Sequence, residues 1–124
     1  LVTVPLVKEM FGKAEEIPAL IPVVPCVDTL KVLRKEGDEL RTIEGAVADR
    51  SVLYAAQTPQ VFHSELLKSA YALAYDTLFT DDASVVQKYG KSLSYIMGER
   101  LNIKITTQED LLLAKAVMSL RDND

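Results

Sequence analysis

Residues 19–27 read Ala-Leu-Ile-Pro-Val-Val-Pro-Cys-Val, an apolar run with no polar residue at either set of alternating positions. A strand with one solvated face alternates apolar with polar side chains, so an unbroken run predicts a strand buried on both faces, central in a parallel or mixed sheet. The run is far short of the roughly 20 residues a membrane-spanning helix needs, and Pro22 and Pro25 interrupt it. Such a strand demands helices on both sides of its sheet, and the rest of the chain has to supply them.

Thr3 ahead of Val4-Pro5-Leu6 predicts an N-cap and a first turn containing proline, opening a helix of roughly three turns with Leu6, Met10 and Phe11 on one face. From residue 30 to 53 charged residues interleave with Leu30, Val32, Leu33, Leu40 and Ile43 around a pivot at Gly37-Asp38. That pattern predicts a polar hairpin, an arm over about residues 30–52, which needs a surface to lie against because an isolated two-stranded ribbon is marginal in water. A partner subunit is the economical choice. Residues 51–57 read as a second apolar strand ended by Thr58-Pro59.

Ser64 is expected to cap a helix with apolar positions 66, 67, 70, 71 and 74, and Thr80 another that carries Asp81 and Asp82 in its first turn and stops near Gly90. Residues 93–97 and 103–106 read as short strands, and Thr107-Gln108-Glu109-Asp110 as the capping box of a final helix with a frayed tail at 122–124. Strands alternating with helices predict an α/β fold: an open mixed or mostly parallel sheet with flanking helices, Rossmann-like, with the hairpin inserted.

A chain of 124 residues suits one domain or most of one. A net charge of −4 and a pI near 5.0 argue against a general grip on nucleic acid, so any phosphate site must be local. The lone Cys26 allows no internal disulfide and suits a reducing cytoplasm. No signal peptide or membrane segment is legible, and the opening Leu1-Val2 in place of methionine suggests a processed, trimmed or incompletely observed chain.

Chemistry concentrates in ordered polar islands at expected strand or loop junctions with helices: Gln57-Thr58-Pro59-Gln60, Thr80-Asp81-Asp82-Ala83-Ser84 and Asn102-Ile103-Lys104-Ile105-Thr106. Such junctions are where α/β proteins handle phosphates. Lys104 alternates away from Ile103 and Ile105, which aims its ammonium at a site beside the last helix; on spacing alone an exposed edge lysine is the favoured reading. Arg50, beside Asp49, reads on its own as a surface arginine paired with that acid. Thr29, Thr58 and Thr80 are small hydroxyls at junctions, suited to capping or turns; Asp28 and Lys31 flank the first of them.

Asp81 and Asp82 point about 100° apart on a helix and make a poor metal pair, so no metal ligand is assigned. His63 reads as surface, Cys26 as packing, and the tyrosines at 54, 71, 75, 89 and 95 as core and rim. The glycines at 12, 37, 45, 90 and 98 are too scattered to make a phosphate-cradling loop.

The ordered set Asp28-Thr29, Asp49-Arg50, Thr58-Pro59-Gln60, Thr80-Asp81-Asp82-Ala83-Ser84 and Asn102-Ile103-Lys104-Ile105-Thr106 resembles the C-terminal half of the 2-C-methyl-D-erythritol 4-phosphate cytidylyltransferase family. The resemblance runs from Pro22 onward and is weak over residues 1–19. It implies a homodimeric nucleotidyltransferase of the non-mevalonate isoprenoid route, whose Gly-rich, nucleotide-binding N-terminal half lies outside these residues. The reaction implied is CTP plus the polyol phosphate giving the CDP-linked alcohol and pyrophosphate, with Mg²⁺ brought by CTP. Lys104 and Arg50 match catalytic residues, and Thr29, Arg50, Thr58, Thr80 and Lys104 match substrate-binding ones. Thr29 and Arg50 would come from one subunit, across the arm, and the others from its neighbour. The resemblance also fits two rivals, a ribitol 5-phosphate cytidylyltransferase and an inactive dimerising fragment.

Overall fold

The computed structural model describes residues 1–73 and 75–122, so the expectations for Ala74, Asn123 and Asp124 lie outside the described residues. The residues fall into two compact units, Leu1–Val24 with Ala56–Asp124 and, separately, Pro25–Ala55.

In the larger unit the apolar run forms β1 (Ala19–Pro25), fully buried over its first four residues. It pairs in parallel with β6 (Ser94–Met97), Leu20 opposite Ser94 and Val23 opposite Met97, and antiparallel with β5 (Val61–Phe62), Leu20 opposite Val61. The sheet is therefore mixed, with β1 inside it as expected. Pro22 has no N–H to give and offers its carbonyl to the Gln57 amide at 2.8 Å.

Both faces of β1 are covered. Leu20 packs with Leu6 and Met10 of α1 (Val4–Ala14) and with Ile96, whereas Ala19 packs with Ala70 of α2 (Ser64–Ala70) and with Val85 and Val86 of α3 (Asp82–Lys88). Successive strand residues point to opposite faces, so this division is the α/β layering that an unbroken apolar strand requires. Burial of each large side chain such as Met10 or Leu20 contributes about 1.5–3 kcal/mol.

Thr3 caps α1 as expected, its hydroxyl accepting from the Leu6 amide at 3.4 Å. Phe11 departs from the expectation: it is 61% exposed, because the buried stripe runs through Leu6 and Met10 alone. The cap of α2 is His63, with Ser64 its first residue and no side-chain cap bond. The cap of α3 is Asp81 in place of Thr80, in a capping box with Ser84, and the helix ends at Lys88 ahead of Gly90 at φ +96°. Residues 103–106 form no strand; no described segment pairs with them, and the Ile103 carbonyl accepts instead from the Leu1 nitrogen at 2.6 Å. The last helix, α4 (Gln108–Asp122), opens on the expected box: Asp110 N donates to Thr107 Oγ1 at 3.2 Å, while Asp110 Oδ2 accepts from the Thr106 and Thr107 amides at 3.0 Å each. Those amides hold the Asp110 carboxyl below the usual range. No described helix is long and apolar enough to cross a membrane.

The smaller unit holds the hairpin, β2 (Leu33–Glu36) and β3 (Glu39–Thr42), turning at Gly37 with φ +61°. Its register puts Leu33 opposite Thr42 and Lys35 opposite Leu40 on one face, and Arg34 opposite Arg41 and Glu36 opposite Glu39 on the other. Arg41 bridges Glu36 at 3.1 Å and Glu39 at 2.6 Å, exposed pairs that offset the like charges and contribute little beyond that. The expected strand over 51–57 is shorter and exposed: a 3-10 turn at Arg50–Val52 precedes β4 (Tyr54–Ala56). The described tyrosines all lie on the surface and none in the core.

Candidate active site

Thr58-Pro59, joined by a cis peptide, sits between two glutamines whose side chains point to different neighbours. Gln57 makes a reciprocal pair with the backbone of one residue: its Nε2 donates to Glu99 O at 2.7 Å, and its Oε1 accepts from Glu99 N at 3.1 Å. Asn102, buried and the end of that same turn, returns to the start by donating from Nδ2 to Thr58 O at 2.7 Å. The result is a closed ring of hydrogen bonds from 57 to 99 to 102 to 58. Thr3 joins it from the α1 cap, donating its hydroxyl to Glu99 Oε1 at 2.6 Å.

This ring brings Lys104 to Thr58. Both line a cleft of about 580 Å³ with Asn102 and Pro59, walled by Val7 and Phe11. Lys104 is exposed, on an irregular stretch rather than a strand, so its position follows from the Asn102 anchor and not from strand alternation. Thr80 is exposed on the segment leading into α3, where its amide donates to Ser84 Oγ at 3.1 Å; it does not line that cleft.

In the smaller unit Arg50 Nη1 donates to Val27 O at 3.1 Å, which holds the guanidinium near the segment bearing Thr29. The expected Asp49–Arg50 pair is replaced. Asp49 accepts from the Ser51 hydroxyl at 2.7 Å and the Ser51 amide at 3.0 Å, and both bonds lower its pKa. Cys26 is half-buried with its thiol 3.5 Å from Asp28 O. His63 is exposed as expected, its Nε2 2.6 Å from Ala14 O at the end of α1.

A family profile described as 2-C-methyl-D-erythritol 4-phosphate cytidylyltransferase (IspD) matches residues 1–120. The chain belongs to this family. Relatives bearing the family's name include one from Bacteroides thetaiotaomicron, 41% identical over 117 residues, covering 94% of this chain and 50% of the relative. Another, from Rubrobacter xylanophilus, is 41% identical over 126 residues, covering 98% of this chain and 52% of the relative. Among solved structures, the cytidylyltransferase from Thermus thermophilus superposes with a TM-score of 0.75 at 33% identity, over 96% of this chain and 57% of that one. The 4-diphosphocytidyl-2C-methyl-D-erythritol synthase from Anaerococcus prevotii gives 0.76 at 26% identity, over 96% and 52%. The chain thus spans about half the length of the curated cytidylyltransferases it matches.

Three side chains of this candidate site, Gln57, Gln60 and Asn102, lie inside the polar islands of the sequence but were given no role of their own there. One signal was available for Asn102, a polar residue among apolar neighbours beside Lys104. Gly98 carries a related constraint. A Cβ there would overlap Gln57 Oε1 and lie 3.2 Å from Gln57 Cδ, so alanine must expel the amide that pairs with Glu99. Gly98→Ala in the complete protein is expected to cost about 1–3 kcal/mol, seen as a lower urea midpoint at unchanged slope. An unmoved midpoint would show that the Gln57 ring contributes nothing to stability.

Proposed function

We propose that these residues are the C-terminal, acceptor-binding portion of a single nucleotidyltransferase domain that transfers CMP from CTP to 2-C-methyl-D-erythritol 4-phosphate, releasing pyrophosphate. The observation that carries this reading is the convergence of Thr58 and Lys104 on one cleft, held by the ring through Gln57 and Asn102. A phosphate oxygen of the acceptor attacks the α-phosphorus, and the pyrophosphate leaves nearly in line. Extra negative charge gathers on the transferring group, so a fixed cation is worth most there. Lys104 supplies that ammonium, while Thr58 and Thr80 hold the polyol phosphate through their hydroxyls. Arg50 and Thr29 act on the same phosphate from the partner subunit.

Dimerisation through the arm is supported by its shape: a hairpin with one wholly charged face and a second face carrying Leu33 and Leu40, both exposed. Mg²⁺ is proposed to arrive with CTP, held by phosphates and water. Among the described residues no three His, Cys, Asp or Glu side chains gather as a metal cluster, and the adjacent Asp81 and Asp82 are turned to protein donors. Asp81 is engaged by Gln60 and Ser84, and Asp82 accepts from the Tyr71 hydroxyl, which raises the Tyr71 pKa. The setting is cytoplasmic.

The test is pyrophosphate release by the complete protein from CTP and methylerythritol phosphate, run beside ribitol 5-phosphate. Turnover confined to the first acceptor supports the reading. Preference for ribitol 5-phosphate, or no release with either, overturns it.

A further inference from the structure

Thr58 and Thr80 lie on separate segments, and one side chain ties those segments together. Gln60, two residues past Thr58, donates from Nε2 to Asp81 Oδ2 at 2.9 Å and accepts at Oε1 from the Ala83 amide at 3.1 Å. Both ends of its amide are thus used on the stretch that begins with Thr80. Asp81 is fixed in turn from the other side. Its Oδ1 accepts from Ser84 N at 2.8 Å, and Ser84 Oγ accepts from the amides of Thr80 at 3.1 Å and Asp81 at 3.2 Å. The chain runs from Gln60 through Asp81 and Ser84 to the backbone of Thr80, half-buried except at its last link, the exposed bond from Thr80 N to Ser84 Oγ. Partial burial pushes the Asp81 carboxyl up, and the bonds from Gln60 and Ser84 outweigh this and hold it below the usual carboxylate range. An ionised Asp81 needs a donor at Oδ2, which a glutamine can give and a glutamate cannot.

We propose, resting on the cytidyl transfer set out under Proposed function, that Gln60 is a positioning residue of the acceptor site, fixing the Thr58 segment against Thr80 so that both hydroxyls meet one polyol phosphate. Gln60 itself touches no reacting atom. Its replacement therefore alters how well the acceptor is held and leaves the nucleotide's binding alone.

The experiment compares Gln60→Glu, Gln60→Leu and the double variant Gln60→Glu with Asp81→Asn in the complete protein, measuring kcat and the KM of each substrate. Amide hydrogen exchange at Ala83 is followed in the same samples. Glutamate at position 60 sets two carboxylates face to face, and the methylerythritol phosphate KM is expected to rise about tenfold with the CTP KM within about twofold. In the double variant the asparagine at 81 donates where glutamine did, its own oxygen still facing Ser84 N, so the bond re-forms with its direction reversed. The acceptor KM is expected to return to within about threefold of wild type, and Ala83 exchange, faster in the leucine variant, to slow again. A double variant no better than Gln60→Glu alone overturns the proposal, as does an unmoved acceptor KM in an active enzyme. A wild-type protein that does not use methylerythritol phosphate overturns the acceptor role together with the proposed function, and Ala83 exchange then reports the tie by itself.

Discussion

Replacing Lys104 with alanine in the complete protein is expected to lower kcat by about a hundredfold or more, with the KM of CTP close to its wild-type value. The size follows from where the charge is needed. Lys104 is exposed and in water its ammonium stabilises a neighbouring anion only weakly, but substrate seated in the open cleft that it lines with Val7 and Phe11 would displace that water. An interaction that strengthens as charge builds on the transferring phosphoryl group acts on kcat, whereas one made equally in the ground state would appear in KM. Lys104→Arg sharpens the test, because a planar fork on a different stem keeps the charge and misplaces it. Its kcat should fall between the two. Near-normal turnover in the alanine variant would leave Lys104 a surface residue.

The position of Lys104 also shows where reading from sequence stops. Strand alternation was the reason for aiming Lys104 at a site, and the structure replaces that reason, since residues 103–106 form no strand and follow the Asn102 anchor. Elements set by local chemistry were legible: the Thr3 cap, the Gly37 turn, the end of α3 before Gly90, the Thr107–Asp110 box. So was the central strand, because burial on both faces over its first four residues leaves no position there for a polar side chain.

What could not be read depends on partners distant in the chain. Thr80 and Asp81 are equally competent caps by type, and Gln60, twenty-one positions before Asp81, provides the contact that singles out the aspartate. Phe11 and the tyrosines look like core by composition, yet their burial depends on which helix face meets the sheet. The family motifs pointed to hydroxyls and cations; the amides of Gln57, Gln60 and Asn102 that hold those segments became visible only with the fold.

Arg50→Ala is expected to raise the acceptor KM by about 30- to 1,000-fold, the equivalent of about 2–4 kcal/mol for a desolvated charge-assisted contact, and to leave CTP binding nearly untouched. Among the described residues no carboxylate pairs with Arg50; a single N–H goes to Val27 O, and the rest of the fork is available for a phosphate. An unchanged acceptor KM would refute the role. Mixing subunits then tests whether the contact crosses the dimer. In a heterodimer of Arg50→Ala with Lys104→Ala, sites built from both chains divide unevenly: one receives intact Arg50 and intact Lys104, and the other neither. Random exchange of equal amounts makes half the dimers mixed, so about a quarter of the wild-type rate should reappear from two crippled proteins. Were Arg50 and Lys104 to serve a site within one chain, every site in the mixture would carry one lesion and mixing would restore nothing.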